Sequence, residues 1–480
     1  TSAQALAFIT TQVAAFEPTD FAALASRSLQ AMLTVQIAAL TSAQVAALVS
    51  AQVVALTTNQ LVALTTVNMA ALTTDNVAAL TTLQIAALTT AQAATLSTAQ
   101  TQALTTSQVL ALVTANIAAL ATASVQIWNS TQIAALSTRQ IAALGTDQAL
   151  GLNTDNISAL STLQVAALVT VDVAVLATTN VAVLSTLQIV GLTTAQAQAL
   201  TTAQTLALGS EQLIALETAD LAAFATASLQ SLDSAQIAYL LTSQIAALTT
   251  SQVLGLSTNN ISGLSTIQIA AVRTLGVQAL STVNVAALST DQIVALSTAQ
   301  AASLGTAQTA ALGTSQVLAL ETADFAALAT AAVQVLGTVQ IASLSTAQIV
   351  AMTTSQTLGL STDNISGLSS SQVEALRTLG VLALSTTNVA ALSTDQIVAL
   401  TTAQAATLTT AQAVALGTSQ VLVLETADFA ALATSSVQIL DTANMAVLST
   451  EQIVALSTSQ ARGLSSTNVG ALRTVQIAAL

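Results

Sequence analysis

The stretch STDQIVAL, residues 289–296, is a clean copy of an eight-residue unit. Read in blocks of eight from Thr1, the 480 residues divide into sixty such octads with no residue inserted or lost. Position eight is Leu apart from Phe8, Phe16, Met32, Trp128, Phe224, Val272 and Met352, and position two is Thr or Ser everywhere except Pro18. Position four is Gln, Asn or Asp with seven exceptions, position five mostly Ile, Val or Ala, and position seven mostly Ala or Gly. Position three varies freely.

Ala, Leu and Gln favour helix, whereas Thr at position two and Ile or Val at position five are β-branched and tolerate strand. The capping pattern decides between them. Ser289 stands three residues before Gln292, which is a capping box: the hydroxyl takes an orphan backbone N–H and the Gln side chain returns to the cap's own N–H. Position two is then the first helical residue. Pro18, the only proline, sits there, where its missing N–H leaves nothing unpaired.

One long helix is excluded, because eight residues turn about 800° and leave each Leu rotated by about 80° from the last. Each octad therefore reads as its own helix of about two turns. Such a helix is too short to stand alone, so Ile and Leu at positions five and eight must be buried against neighbouring octads, at roughly 1.5 to 3 kcal/mol per side chain. The expected fold is all-α, a repeat solenoid or superhelix of about sixty very short helices; the rival is a β-solenoid with eight-residue sides. Gly145, Gly209, Gly305, Gly313, Gly337 and Gly417 at position one suit a left-handed helix end.

An unbroken repeat reads as one continuous array over 1–480. A second period lies over the first. Ser28, Ser124, Ser228, Ala332 and Ser436 break the position-four rule, and each octad moves its Gln to position six, at Gln30, Gln126, Gln230, Gln334 and Gln438. Gly276 and Gly380, in RTLGVQAL and RTLGVLAL, are the other two exceptions and lie 104 residues apart. This divides the array into thirteen-octad blocks at about 49–152, 153–256, 257–360 and 361–464, with partial blocks 1–48 and 465–480. The block reads as a duplication unit and as a whole number of superhelical turns. The chain starts at Thr1 and ends on a repeat boundary, which reads as an excerpt from a longer array or a processed product.

Composition closes most routes to chemistry. There is no Cys, His or Lys, so disulfides, thiolate metal sites and the commonest general base are missing. No catalytic residues and no cofactor are expected. A net charge of -14 with six scattered Arg gives no basic stripe for nucleic acid. Mean hydropathy is +0.77, yet polar residues return in every octad, and no run approaches the roughly 18 apolar residues of a membrane span.

The acidic octads place Glu217 with Asp220, Glu321 with Asp324, and Glu425 with Asp428, as Glu17 does with Asp20. Recurring carboxylates could form calcium sites. The preferred reading is a helix N-terminus that favours negative charge, because two carboxylates per block are too few for calcium. Asp363 and Asn364 get the same reading. Asn129, Asn156, Asn260 and Asn364 fall in Asn-x-Ser/Thr sequons, three of them inside helices, which disfavours glycosylation there. Arg273 and Arg377 could pair with Glu321 and Glu425 across turns. Trp128 reads as core filling. The repeated Thr could present hydroxyls and methyls to ice or a crystalline polysaccharide; the alternative is that Thr and Gln satisfy helix ends and bond between stacked octads.

LTTAQAATL at 400–408 and LTTLQIAAL at 80–88 resemble the Thr/Ser-rich octad repeats of very large bacterial surface proteins often called haem-utilisation or adhesion proteins, a likeness that covers the whole chain. They are also similar, at the helix start alone, to the L-T-P-E-Q-V opening of TAL-effector and mesothelin-like helical solenoids. The DNA-reading loop residues of TAL effectors have no counterpart here, and there is no His or Cys to hold haem. The first resemblance implies an extracellular structural protein, a stalk, fibre or self-associating filament whose partner is itself. The alternative is an adhesin or an ice- or polysaccharide-binding module.

Overall fold

The computed structural model describes residues 1–480 and contains sixty helices, one per octad, each of four to six residues, with no strand. The β-solenoid is thereby overturned. The helices divide into two compact units, Thr1–Leu232 and Asp233–Leu480, and the boundary falls between two octads. In the first unit, helix Thr82–Ala87 packs against Thr58–Ala63 and Thr106–Ala111; in the second, Thr290–Val294 packs against Thr266–Ala271 and Thr314–Ala319. Within each unit, then, every helix stacks on those three octads before and after it.

The STDQIVAL octad shows how this is built. Ser289 is the N-cap, with extended backbone at φ -71° and ψ 161°. The Gln292 N–H donates to the Ser289 hydroxyl at 3.1 Å, and Gln292 Oε1 accepts the Ser289 N–H at 2.8 Å. Pro18 opens its helix, as the capping scheme requires. Positions eight and one are extended in most octads, as at Leu320 with φ -58° and ψ 128°, which turns the chain between helices and shortens them to under two turns.

One expectation fails at this junction. Gly145, Gly209, Gly305, Gly313, Gly337 and Gly417 are N-caps with φ between -72° and -86°, and no residue has a positive φ. The preceding helix has already stopped, at position six before five of these glycines and at position five before Gly145, so position one needs no left-handed turn. Glycine is tolerated because the cap's N–H still finds the Gln side chain, as at Gly313 to Gln316 Oε1 at 2.7 Å.

Positions four, five and eight point inward: Gln292, Ile293 and Leu296 are all buried. Around Val253, Leu256, Ile261 and Leu264 the core leaves only about 10 Å³, at or below what one water needs. Position seven is small because it lies on the start of the helix three octads earlier. A Cβ on Gly263 would stand 2.3 Å from the Ser234 carbonyl oxygen, and one on Gly151 2.6 Å from Thr122 Cγ2.

Candidate functional site

The residues that tie one turn to the next are those at position four. Gln292 Nε2 donates to the carbonyl oxygens of Ile261 at 2.8 Å and Leu264 at 2.7 Å. A single amide thus caps its own helix with its oxygen and, with its nitrogen, closes the C-terminal end of the helix four octads back. Gln60, Gln132, Gln188, Gln348, Gln404 and Gln452 repeat the pattern. Asn is shorter and reaches one carbonyl, as Asn68 does to Leu40 at 2.7 Å and Asn284 to Leu256 at 2.7 Å. Sequence reasoning found the cap and expected Gln to bond between stacked octads, but it did not identify the carbonyls, four octads back, that the amide reaches. The signal was present in the near-exclusive use of residues with side-chain amides at one inward position.

The acidic octads are pulled apart by the fold. Glu217, Glu321 and Glu425 are exposed N-caps, whereas Asp220, Asp324 and Asp428 are buried at position four, as is Asp172. No group of three or more His, Cys, Asp or Glu residues is placed to hold a metal ion. The buried carboxyls occupy the place of the Gln amide but carry no N–H. Both oxygens of Asp172, and Oδ2 of Asp220 and of Asp428, have no hydrogen-bond partner. The other oxygen of Asp428 accepts from the Thr402 hydroxyl at 2.7 Å.

Burial pushes all three of these carboxyls above the ordinary aspartate range. The hydroxyls of Thr194 and Thr402 offset part of that push at Asp220 and Asp428, and Thr146 does so at Asp172 from outside hydrogen-bond geometry. The negative charges of Glu217 and Glu425 add to it at the latter two sites.

Asp363 and Asn364 also diverge: Asp363 is exposed, while Asn364 is buried and donates to the Leu336 carbonyl. Asn156 and Asn260 are buried as well, so three of the four sequons are closed to modification, and Asn129 uses its side chain to cap a helix. Arg273 and Arg377 bond to main chain rather than to the proposed glutamates: each guanidinium donates to a carbonyl 25 residues earlier, Leu248 and Met352. Trp128 is core, with its indole N–H on the Thr101 carbonyl at 3.0 Å.

What faces solvent is uniform. Thr58, Thr82 and Thr106 begin three stacked helices and are all exposed. Position three carries exposed apolar side chains, among them Leu83, Leu163, Leu187, Ile267 and Val339, and position six adds Leu110, Leu254 and Leu358. An open depression of about 660 Å³ is lined by Gln126, Asn129, Asn153, Asp155 and Ser158, and the Ser158 hydroxyl in it donates to the Thr154 carbonyl oxygen at 2.8 Å. No helix is long and apolar enough to cross a membrane.

The repeat is matched by a family model described as the ALTTAQ repeat, at residues 13–50, 46–82, 109–149, 213–250, 269–306, 285–320, 317–354, 381–410 and 421–458, together more than half of the chain. The six letters stand unchanged at 87–92, 199–204 and 399–404, where they run from the end of one helix through the cap to the amide that bonds across turns. No curated protein and no solved structure matches the chain.

Proposed function

Since the chain belongs to the ALTTAQ repeat family, we propose that it is a structural, extracellular element of a bacterial surface protein, a stalk or fibre segment that associates with copies of itself and carries no catalytic activity. The observation that supports this reading is the pairing of an interior tied together by the position-four amides with a surface of low charge that exposes apolar side chains at positions three and six. Between residues 76 and 138 there is no charged residue. Surfaces of that kind associate, because apolar area is removed from water when copies meet and long uncharged stretches offer little local repulsion. Sedimentation and electron microscopy of the purified chain test it: concentration-dependent fibres or lateral bundles are expected, and dispersed monomers at high concentration would refute it.

A second reading, an adhesin or an ice- or polysaccharide-binding module, is favoured by the exposed Thr column exemplified by Thr58, Thr82 and Thr106. Thermal hysteresis or polysaccharide pull-down, lost when position-two Thr residues along one column become Val, would support it.

A further inference from the structure

Most side chains at position four solve one problem, which is to put a hydrogen on the carbonyl that ends the helix four octads back; Gly276, Gly380, Ala332 and the unpartnered Ser124 and Ser436 are exceptions. Where that side chain is Asn, isosteric with Asp, its Nδ2 lies 2.6–3.0 Å from the position-eight carbonyl 28 residues earlier. Asp172, Asp220 and Asp428 stand at the same position, equally buried, and at least one carboxyl oxygen of each, both in Asp172, meets no donor. An ionised carboxylate there would set its lone pairs against those of a carbonyl, away from water, which is among the most unfavourable arrangements a buried group can adopt.

We propose that Asp172, Asp220 and Asp428 are neutral carboxylic acids in the folded chain, each taking its proton from water and donating it to the carbonyl oxygen of Leu144, Leu192 or Leu400. These three joints between turns form only with a bound proton, and they make the repeat acid-reinforced. A proton fits better than a metal ion: calcium takes about six to eight oxygen ligands, and no group of three or more acidic residues is placed to hold one.

The surroundings agree. The helices packed against that of Asp172, Thr146–Leu150 and Thr194–Ala199, carry one charged residue, Asp147, and the addressed octad contributes the exposed Arg139. Asp220 packs on Thr194–Ala199, which has none, and has Glu217 at its own cap. Asp428 packs on Thr402–Ala405, without charge, and on Thr450–Val454, with Glu451; Glu425 is at its cap and Asp395 in the addressed octad. Apart from Arg139 all of these are acids. A carboxyl that keeps its proton in the folded chain stabilises fully below the unfolded aspartate value of about 3.9, and that contribution is lost as pH rises through the raised folded value.

Two measurements on the full chain test this. Infrared spectra of protein carrying isotope-labelled Asp are expected to show a protonated-carboxyl band near pH 6, well above the aspartate value of about 3.9, and to lose it in the combined Asp172→Asn, Asp220→Asn, Asp428→Asn variant. In thermal melts, the variant is expected to exceed the wild type by several degrees near pH 8 and to converge on it near pH 4, as linkage requires. A spectrum with carboxylate only near pH 6, or a difference in melting that does not change with pH, overturns the proposal. A wild type raised near pH 8 by calcium or sodium chloride, with the variant unmoved, overturns it in favour of a cation site.

Discussion

Arg377 and Gly380 stand three residues apart, and the guanidinium of the first takes the carbonyl oxygen, Met352, that a Gln or Asn in place of the second would take. Arg273 and Gly276 repeat the arrangement on Leu248 at 2.7 Å. The glycine that removes the amide and the arginine that replaces it are one compensated substitution. Replacing Arg377 by Ala is expected to destabilise by about 1–3 kcal/mol, since a buried acceptor loses a charged donor. Adding Gly380→Asn to that variant should recover most of the loss. A Cβ at Gly380 meets its nearest neighbour at 3.5 Å, so the site admits the side chain, and paired denaturant melts of the two variants measure the recovery.

Gln292 is the complementary case. Gln292→Glu keeps the acceptor for Ser289 N–H but removes the donor to Ile261 and Leu264. It is expected to lower stability by about 1–3 kcal/mol at neutral pH and to regain part of that in acid, where the carboxyl can donate. Gln292→Leu should lose as much or more with no recovery in acid. Melts at two pH values separate them.

Glycine has two opposite meanings in the octad. Gly263→Ala drives a methyl into the Ser234 carbonyl at 2.3 Å and is expected to destabilise by roughly 1–3 kcal/mol. Gly313→Ser supplies the missing cap hydroxyl with no clash, its nearest neighbour being Gln316 Oε1 at 3.6 Å, and should stabilise by a few tenths of a kcal/mol. Equal effects of the two changes would contradict the assignment of position one as an N-cap.

The exposed apolar row is expected to drive association. Leu83→Glu, Leu163→Glu and Leu187→Glu together add three charges to side chains that are already 71–75% exposed, so circular dichroism should be unchanged. Sedimentation is expected to shift toward the monomer, and bundles that persist in this variant would place the contact elsewhere on the surface.

What the sequence disclosed is what lies within one octad. The bond from Gln292 to its own cap spans three residues and leaves a visible Ser-x-x-Gln, and the alternation of inward Ile293 and Leu296 with outward Asp291 and Val294 follows from one turn of helix. The second half of the Gln292 amide spans 28 to 31 residues, a distance fixed by how many octads close a turn, and nothing inside an octad states that number. The same ignorance sent Arg377 toward Glu425 instead of Met352. It also left the buried Asp428 beside the exposed Glu425 as if the two shared a surface. The junction glycines misled for a different reason: glycine at a helix boundary is ordinarily a C-terminal signal, and here two or three residues separate the end of the preceding helix from the glycine.

Because each octad bonds no further than the fourth one back, the chain never has to close a long loop to fold. Its contacts are local for its size, which favours rapid formation from any starting point and growth by addition at an edge. The same arithmetic governs pulling. Tension applied along the chain would release the terminal octad without loosening those beyond its reach, freeing about 28 Å of extended chain for each eight residues, and the octad would rewind when the load falls. Such a chain would yield under load in small, reversible steps.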